Sequence, residues 1–128
     1  KGAYAWRSLV DAGVNLAGGS DFPIESPDPF YGMYTAVTRC NAEGRPEGGW
    51  LPEQKLEKEQ AFRAYTLNAA YAAHQEDWLG SLETGKKADF VLIDRDLFQS
   101  DVMEWKNIKV METWLGGEKV YERAKESI

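Results

Sequence analysis

Leu9-Val10-Asp11-Ala12-Gly13-Val14-Asn15-Leu16-Ala17-Gly18-Gly19-Ser20-Asp21-Phe22-Pro23 reads as the end of a helix, a sharp stop and a short buried strand. Tyr4, Ala5, Leu9, Val10 and Ala12 recur at roughly helical spacing, and Gly13 is suited to end that helix. Val14 to Ala17 is then strand-sized. Gly18-Gly19-Ser20 lets the backbone turn sharply into Asp21, and Pro23 stiffens the exit. Helix, glycine, strand and glycine-rich exit together predict one αβ unit of a parallel α/β structure. Barrel and open α/β enzymes place catalytic groups at the C-terminal mouth of a parallel strand, where Asp21 stands. A carboxylate held there can ligate a hard or borderline cation or move a proton; it can equally just cap a loop.

Downstream, Pro23, Pro27 and Pro29 forbid regular structure until a short helix over Phe30 to Thr38, with Asp28 as its cap and Pro29 at its first position. Asn41 to Pro52, with Gly44, Pro46, Gly48 and Gly49, is a surface excursion. Glu53 to His74 is the strongest helical segment, its apolar face made by Leu56, Ala61, Phe62, Ala64 and Tyr65. Thr66 interrupts it and can cap a second helical piece through Ala73. The pattern then turns to strands: Ala88 to Asp94, Lys109 to Leu115, and a Gly116-Gly117 hairpin into Lys119-Val120-Tyr121. A lone parallel strand beside an antiparallel tail is not self-sufficient, because parallel strands are normally buried by helices on both faces. The pieces look cut from something larger, and a first residue Lys1 rather than Met agrees with a processed or excised piece.

The totals narrow the function. With 128 residues, 43% hydrophobic and 28% charged, the chain has the composition of a soluble globular protein. Its longest clean apolar stretch, Phe90-Val91-Leu92-Ile93, is far too short for a membrane span, and its first residues lack the apolar core of a signal peptide. A formal net charge of -6 argues against nucleic acid or an anionic membrane as partner. One cysteine, Cys40, excludes an internal disulfide and a cysteine-based zinc site, fits a reducing cytoplasmic setting, and reads as a packed thiol rather than a nucleophile.

The segment Leu9 to Pro23 is similar to the last barrel strand of the amidohydrolase superfamily, in the branch that includes N-substituted formamide deformylases. Three further segments follow in that family's order: Pro29-Phe30 to Ala36-Val37-Thr38-Arg39, then Ala64-Tyr65-Thr66-Leu67-Asn68-Ala69-Ala70-Tyr71, then Gly80-Ser81-Leu82-Glu83-Thr84-Gly85-Lys86-Lys87-Ala88-Asp89-Phe90-Val91-Leu92. Thr113-Trp114-Leu115-Gly116-Gly117-Glu118-Lys119-Val120-Tyr121 also fits, so the resemblance covers essentially the whole chain. It implies an α/β fold: the C-terminal fragment of a (β/α)8 barrel of a metal-dependent hydrolase, followed by part of a flanking composite β-sandwich. Residues 1–78 would be the last barrel strand and terminal helices, and residues 79–128 the sandwich segment. It also implies hydrolysis of C–N bonds in a small amide or formamide-like substrate by water activated on one or two divalent metals, commonly zinc. Asp21 matches the family aspartate that ligates a metal and accepts the water's proton.

The departure is large. The family's His-x-His pair, its bridging carboxylate or modified lysine and its two later histidines have no counterparts here. The single histidine, His74, reads as a helix-end surface residue. One carboxylate does not hold zinc usefully, since catalytic sites take about three protein ligands. The fragment alone is therefore expected to be inactive, to bind no metal and to self-associate through uncovered apolar surface. The alternative is a non-catalytic structural or oligomerisation module derived from such an enzyme. Glu25, Asp28 and Glu43 read as solvated loop acids, and Trp78, Trp105 and Trp114 as packing residues. Arg39 either contacts a substrate or braces its loop; the sequence leaves both open.

Overall fold

The computed structural model describes residues 2–124. Helix α1 spans Trp6–Asp11 and stops at Gly13, whose φ of +83° and N–H bond to the Val10 carbonyl (2.9 Å) make the expected turn. It is shorter than the spacing predicts because Tyr4 already has a positive φ and Ala5 is not helical. Residues 14–20 take no regular structure and pair with no strand among the described residues, which corrects the strand expected at Val14 to Ala17. A ladder needs a neighbouring strand to take its N–H and C=O groups. Here those groups bond to a helix instead: the Asn68 side chain donates to the Leu16 carbonyl (3.0 Å) and the Gly18 N–H to the Ala64 carbonyl (2.9 Å).

Helix α2, Pro29–Thr38, forms as its caps demand. The Asp28 carboxylate accepts from the Phe30 N–H at 2.9 Å, and Pro29 fills the first turn, where its missing N–H is no loss. The helical stretch expected over Glu53 to His74, with its interruption at Thr66, forms two short helices. Helix α3, Lys58–Ala64, starts where the Gln60 side chain accepts from the Glu57 N–H; Pro52–Gln54 forms a separate 3-10 turn. Helix α4, Leu67–Ala72, begins after Thr66, as its position suggested, but the Thr66 hydroxyl donates back to the Phe62 carbonyl (2.9 Å) rather than capping α4. Alpha4 ends in a Schellman arrangement, with His74 in the left-handed position at φ +56° and Gln75 donating to the Ala70 carbonyl.

Strands β1 (Phe90–Ile93), β2 (Val110–Leu115) and β3 (Glu118–Glu122) make one antiparallel sheet in that order. Gly116 and Gly117 both have positive φ, which is what a two-residue hairpin turn requires. Phe90 lies opposite Trp114 and stacks on it, ring centroids 5.6 Å apart.

One core joins the helical and sheet-bearing parts. Phe30, Met33 and Tyr34 of α2 pack with Leu56, Ala61, Leu97, Trp105 and Ile108. Trp105, in the 3-10 segment Val102–Asn107, is fully buried and donates from its indole nitrogen to the Leu97 carbonyl at 2.9 Å. Trp114 is half-buried against Phe90, whereas Trp78 lies at the surface beneath the Lys87 ammonium, 4.4 Å from its ring centroid. No helix among the described residues is long and apolar enough to cross a membrane.

Candidate functional site

An open cleft of about 630 Å³ brings residues at the entrance of α1 together with those at the end of segment 14–20; it is lined among others by Tyr4, Trp6, Asp21, Arg39, Trp50 and Tyr65. Asp21 sits at its edge, exposed, with φ +50°, and its carbonyl accepts from the Ile24 N–H (2.9 Å) to close a tight turn. Among the described residues its carboxylate takes no hydrogen bond. It is thus uncommitted at the mouth of a cleft, and its side chain caps nothing.

The floor of the cleft is set by Tyr65. Its ring is inserted between Gly18 of the segment 14–20 and Gly32 of α2, at both of which a Cβ would collide with it. Burial raises the Tyr65 phenol above its ordinary value.

Arg39 forms one wall. It ends α2 in the left-handed conformation (φ +61°), its N–H bonded to the Thr35 carbonyl at 2.8 Å. Its side chain is only 7% exposed. Nε donates to the Trp50 carbonyl (3.0 Å) and Nη1 to the Tyr4 carbonyl (3.2 Å), while the guanidinium lies 4.6 Å from the Trp6 ring centroid and 5.0 Å from that of Trp50. Burial pushes its pKa down, opposed by the charge of Glu53. Of the two roles open to Arg39 in the sequence, bracing is the one its hydrogen bonds perform.

The other candidates disperse. Asp28 is a helix cap, Glu25 borders the cleft as an exposed acid, and Glu43 is exposed on the loop. Cys40 is half-buried, its thiol against the Thr38 and Pro46 carbonyls. His74 is exposed beyond α4. Among the described residues no three His, Cys, Asp or Glu side chains gather where they could share a metal ion. Asp21 suits a divalent ion by its chemistry and freedom, but further ligands would have to come from elsewhere. Sequence reasoning missed Trp6 and Trp50. They stand 44 positions apart in no periodic pattern, and Arg39 and Tyr4 each contact both rings.

Residues 1–121 match the model of the amidohydrolase family. The chain is 35% identical over 117 residues to an N-substituted formamide deformylase of Arthrobacter pascens, covering 91% of this chain and 21% of that protein. It is 36% identical over 122 residues to an imidazolonepropionase of Treponema denticola, covering 93% of this chain and 26% of that protein. It is also 35% identical over 124 residues to the protein LONG AFTER FAR-RED 3 of Arabidopsis thaliana, covering 94% and 20%. The crystal structure of an amidohydrolase from Thermotoga maritima superposes with a TM-score of 0.66 at 24% identity, over 94% of this chain and 26% of that one, a likeness of fold. The chain thus spans about a fifth to a quarter of the length of these relatives.

Proposed function

The chain belongs to the amidohydrolase family, and on that footing we propose that it is the C-terminal part of a metal-dependent hydrolase of carbon–nitrogen bonds. In this reading residues 1–78 supply the last strand and terminal helices of a (β/α)8 barrel, Val14 to Ala17 joining a ladder only within the whole barrel, and residues 79–128 belong to a flanking β-sandwich. The absence of a neighbouring strand beside that segment among the described residues supports it, because a strand at this position would find its ladder partners in the rest of a barrel. The substrate is a small amide or formamide-like molecule, a class suggested by the deformylase relative. The net charge of -6 makes nucleic acid an unsuitable partner, and the lone thiol of Cys40 agrees with a reducing cytoplasmic setting.

The observation that carries the reading is the free carboxylate of Asp21 at the cleft, just after the segment 14–20. There it would ligate a divalent ion, zinc being the one that suits a mixed set of carboxylate and imidazole ligands. Such an ion supplies Lewis acidity, lowering the pKa of the attacking water. Asp21 takes the proton lost as water adds to the amide carbon, and returns it to the nitrogen as the C–N bond breaks. The products are a carboxylic acid and an amine. This segment alone would then be inactive, having one ligand of the several required.

The test is hydrolysis of N-substituted formamides and other acylated amines by the full-length protein. Asp21→Asn is expected to lower kcat by about 10²-fold or more, since it removes the proton acceptor. Unchanged turnover in that variant would instead favour a non-catalytic structural or oligomerisation module.

A further inference from the structure

Arg39 is a buried cation with no acidic side chain paired to it among the described residues, and its Nη2 is buried without any hydrogen-bond partner. Glu53 offsets this charge without forming an ion pair, and a buried charge so held is a poor way to gain stability; an apolar side chain of similar volume would usually do as well. What the guanidinium does that an apolar side chain does not is hold two distant segments in a fixed relation. Its Nε and Nη1 reach the Trp50 and Tyr4 carbonyls, while its planar faces meet the Trp6 and Trp50 rings. A lysine has neither the rigid fork nor the flat faces for this.

The segments so joined form the wall of the cleft that also holds Asp21. Tyr4 meets Trp6 and Trp50 edge-on, at 6.1 and 5.7 Å between centroids, so Arg39 anchors a cluster of three rings. Tyr4 stays 61% exposed and Trp50 49%, leaving aromatic surface open toward the cleft. Gly49 locks the Trp50 end: a Cβ there would strike the Thr38 carbonyl, and its φ of +86° excludes most other residues.

We infer that Arg39 is a positioning residue for substrate selection: it fixes the aromatic wall formed by Tyr4, Trp6 and Trp50, and that wall receives an alkyl or aryl substituent of the amide. The inference rests on the hydrolase reading above. Arg39 does not touch the reacting carbon, so its effect falls on binding of the substituent rather than on the chemical step.

The experiment uses the full-length enzyme and two formamides, one with an N-methyl and one with an N-benzyl group. Arg39→Lys is expected to raise KM for the benzyl substrate about tenfold, to leave KM for the methyl substrate within about threefold, and to keep kcat for both within about threefold. In Arg39→Ala, added guanidinium ion at millimolar concentration is expected to recover part of the loss, as a purely structural defect would not. Equal KM changes for the two substrates, or no change for either, overturn the inference while leaving Asp21 in its role. A wild-type enzyme that hydrolyses no amide removes the hydrolase reading and this inference with it. A loss of kcat confined to Asp21→Asn, with KM selectivity intact, separates the two sites.

Discussion

Gly32 owes its lack of a side chain to another element. In the middle of α2, where alanine would favour the helix, a Cβ would run into the Tyr65 hydroxyl, and Gly18 leaves room for the other side of the same ring. Gly32→Ala should therefore destabilise the protein by about 1–3 kcal/mol despite the gain in helix propensity, as thermal or urea unfolding would show. Pairing the change with Tyr65→Phe should recover part of that loss, because the hydroxyl is the atom struck first. Asp94 offers a second residue-scale prediction. Its carboxylate is held down to about 2, chiefly by the two hydrogen bonds from Arg95 (2.8 and 3.0 Å) and also by the Lys109 N–H. A folded-state pKa below the unfolded value adds stability that is complete above about pH 4 and is lost as pH falls through about 2. After allowance for solvent screening of this surface pair, the contribution is about 1 kcal/mol. Asp94→Asn should remove it at neutral pH and flatten the acid limb of a stability–pH curve between those values.

At the scale of the element, what could be read in the sequence was whatever depends on near neighbours. The Asp28 cap, the Pro29 start, the Gly13 stop and the Gly116-Gly117 hairpin each depend on residues within a few positions, and each stands as expected. Two expectations required partners at a distance. Val14 to Ala17 has the composition of a strand but no neighbour to pair with among the described residues, so it takes no regular structure, and the segment is tied to α3 and α4. The helix expected from Glu53 begins only at Lys58, since Pro52–Gln54 forms a separate 3-10 turn, whereas its interruption at Thr66 stands as expected. Asp21 was legible because it follows a glycine-rich strand exit. The Arg39–Trp6–Trp50 cluster was not, since nothing local links those three residues. The element most dependent on one side chain is the Val102–Asn107 segment, whose Trp105 is the largest fully buried group and locks the segment onto α2. Trp105→Ala should cost about 3–5 kcal/mol, most of the stability of a small domain, and circular dichroism should show a much lower Tm.

For the whole molecule, the distribution of apolar surface matters most. Phe22, Ile24, Leu82, Leu115 and Val120 are all well exposed, and β3 is exposed along its whole length. A chain that spans a fifth to a quarter of its relatives leaves such surface where, under the proposed reading, the rest of the protein would cover it. The isolated 128-residue chain should therefore elute from a sizing column larger than its 14.4 kDa mass, increasingly so with concentration, and bind a hydrophobic dye. A sharp monomer peak at all concentrations would show the exposed surface to be harmless. In the proposed reading Asp21 is the metal ligand that this segment brings to the hydrolase. Metal content of the purified full-length protein tests this without knowledge of the substrate. Wild type should hold at least one divalent ion per chain, and Asp21→Asn should weaken its retention at least about tenfold, since even residues that only support a ligand weaken binding by that much when replaced. Equal metal retention in the two proteins would contradict the account.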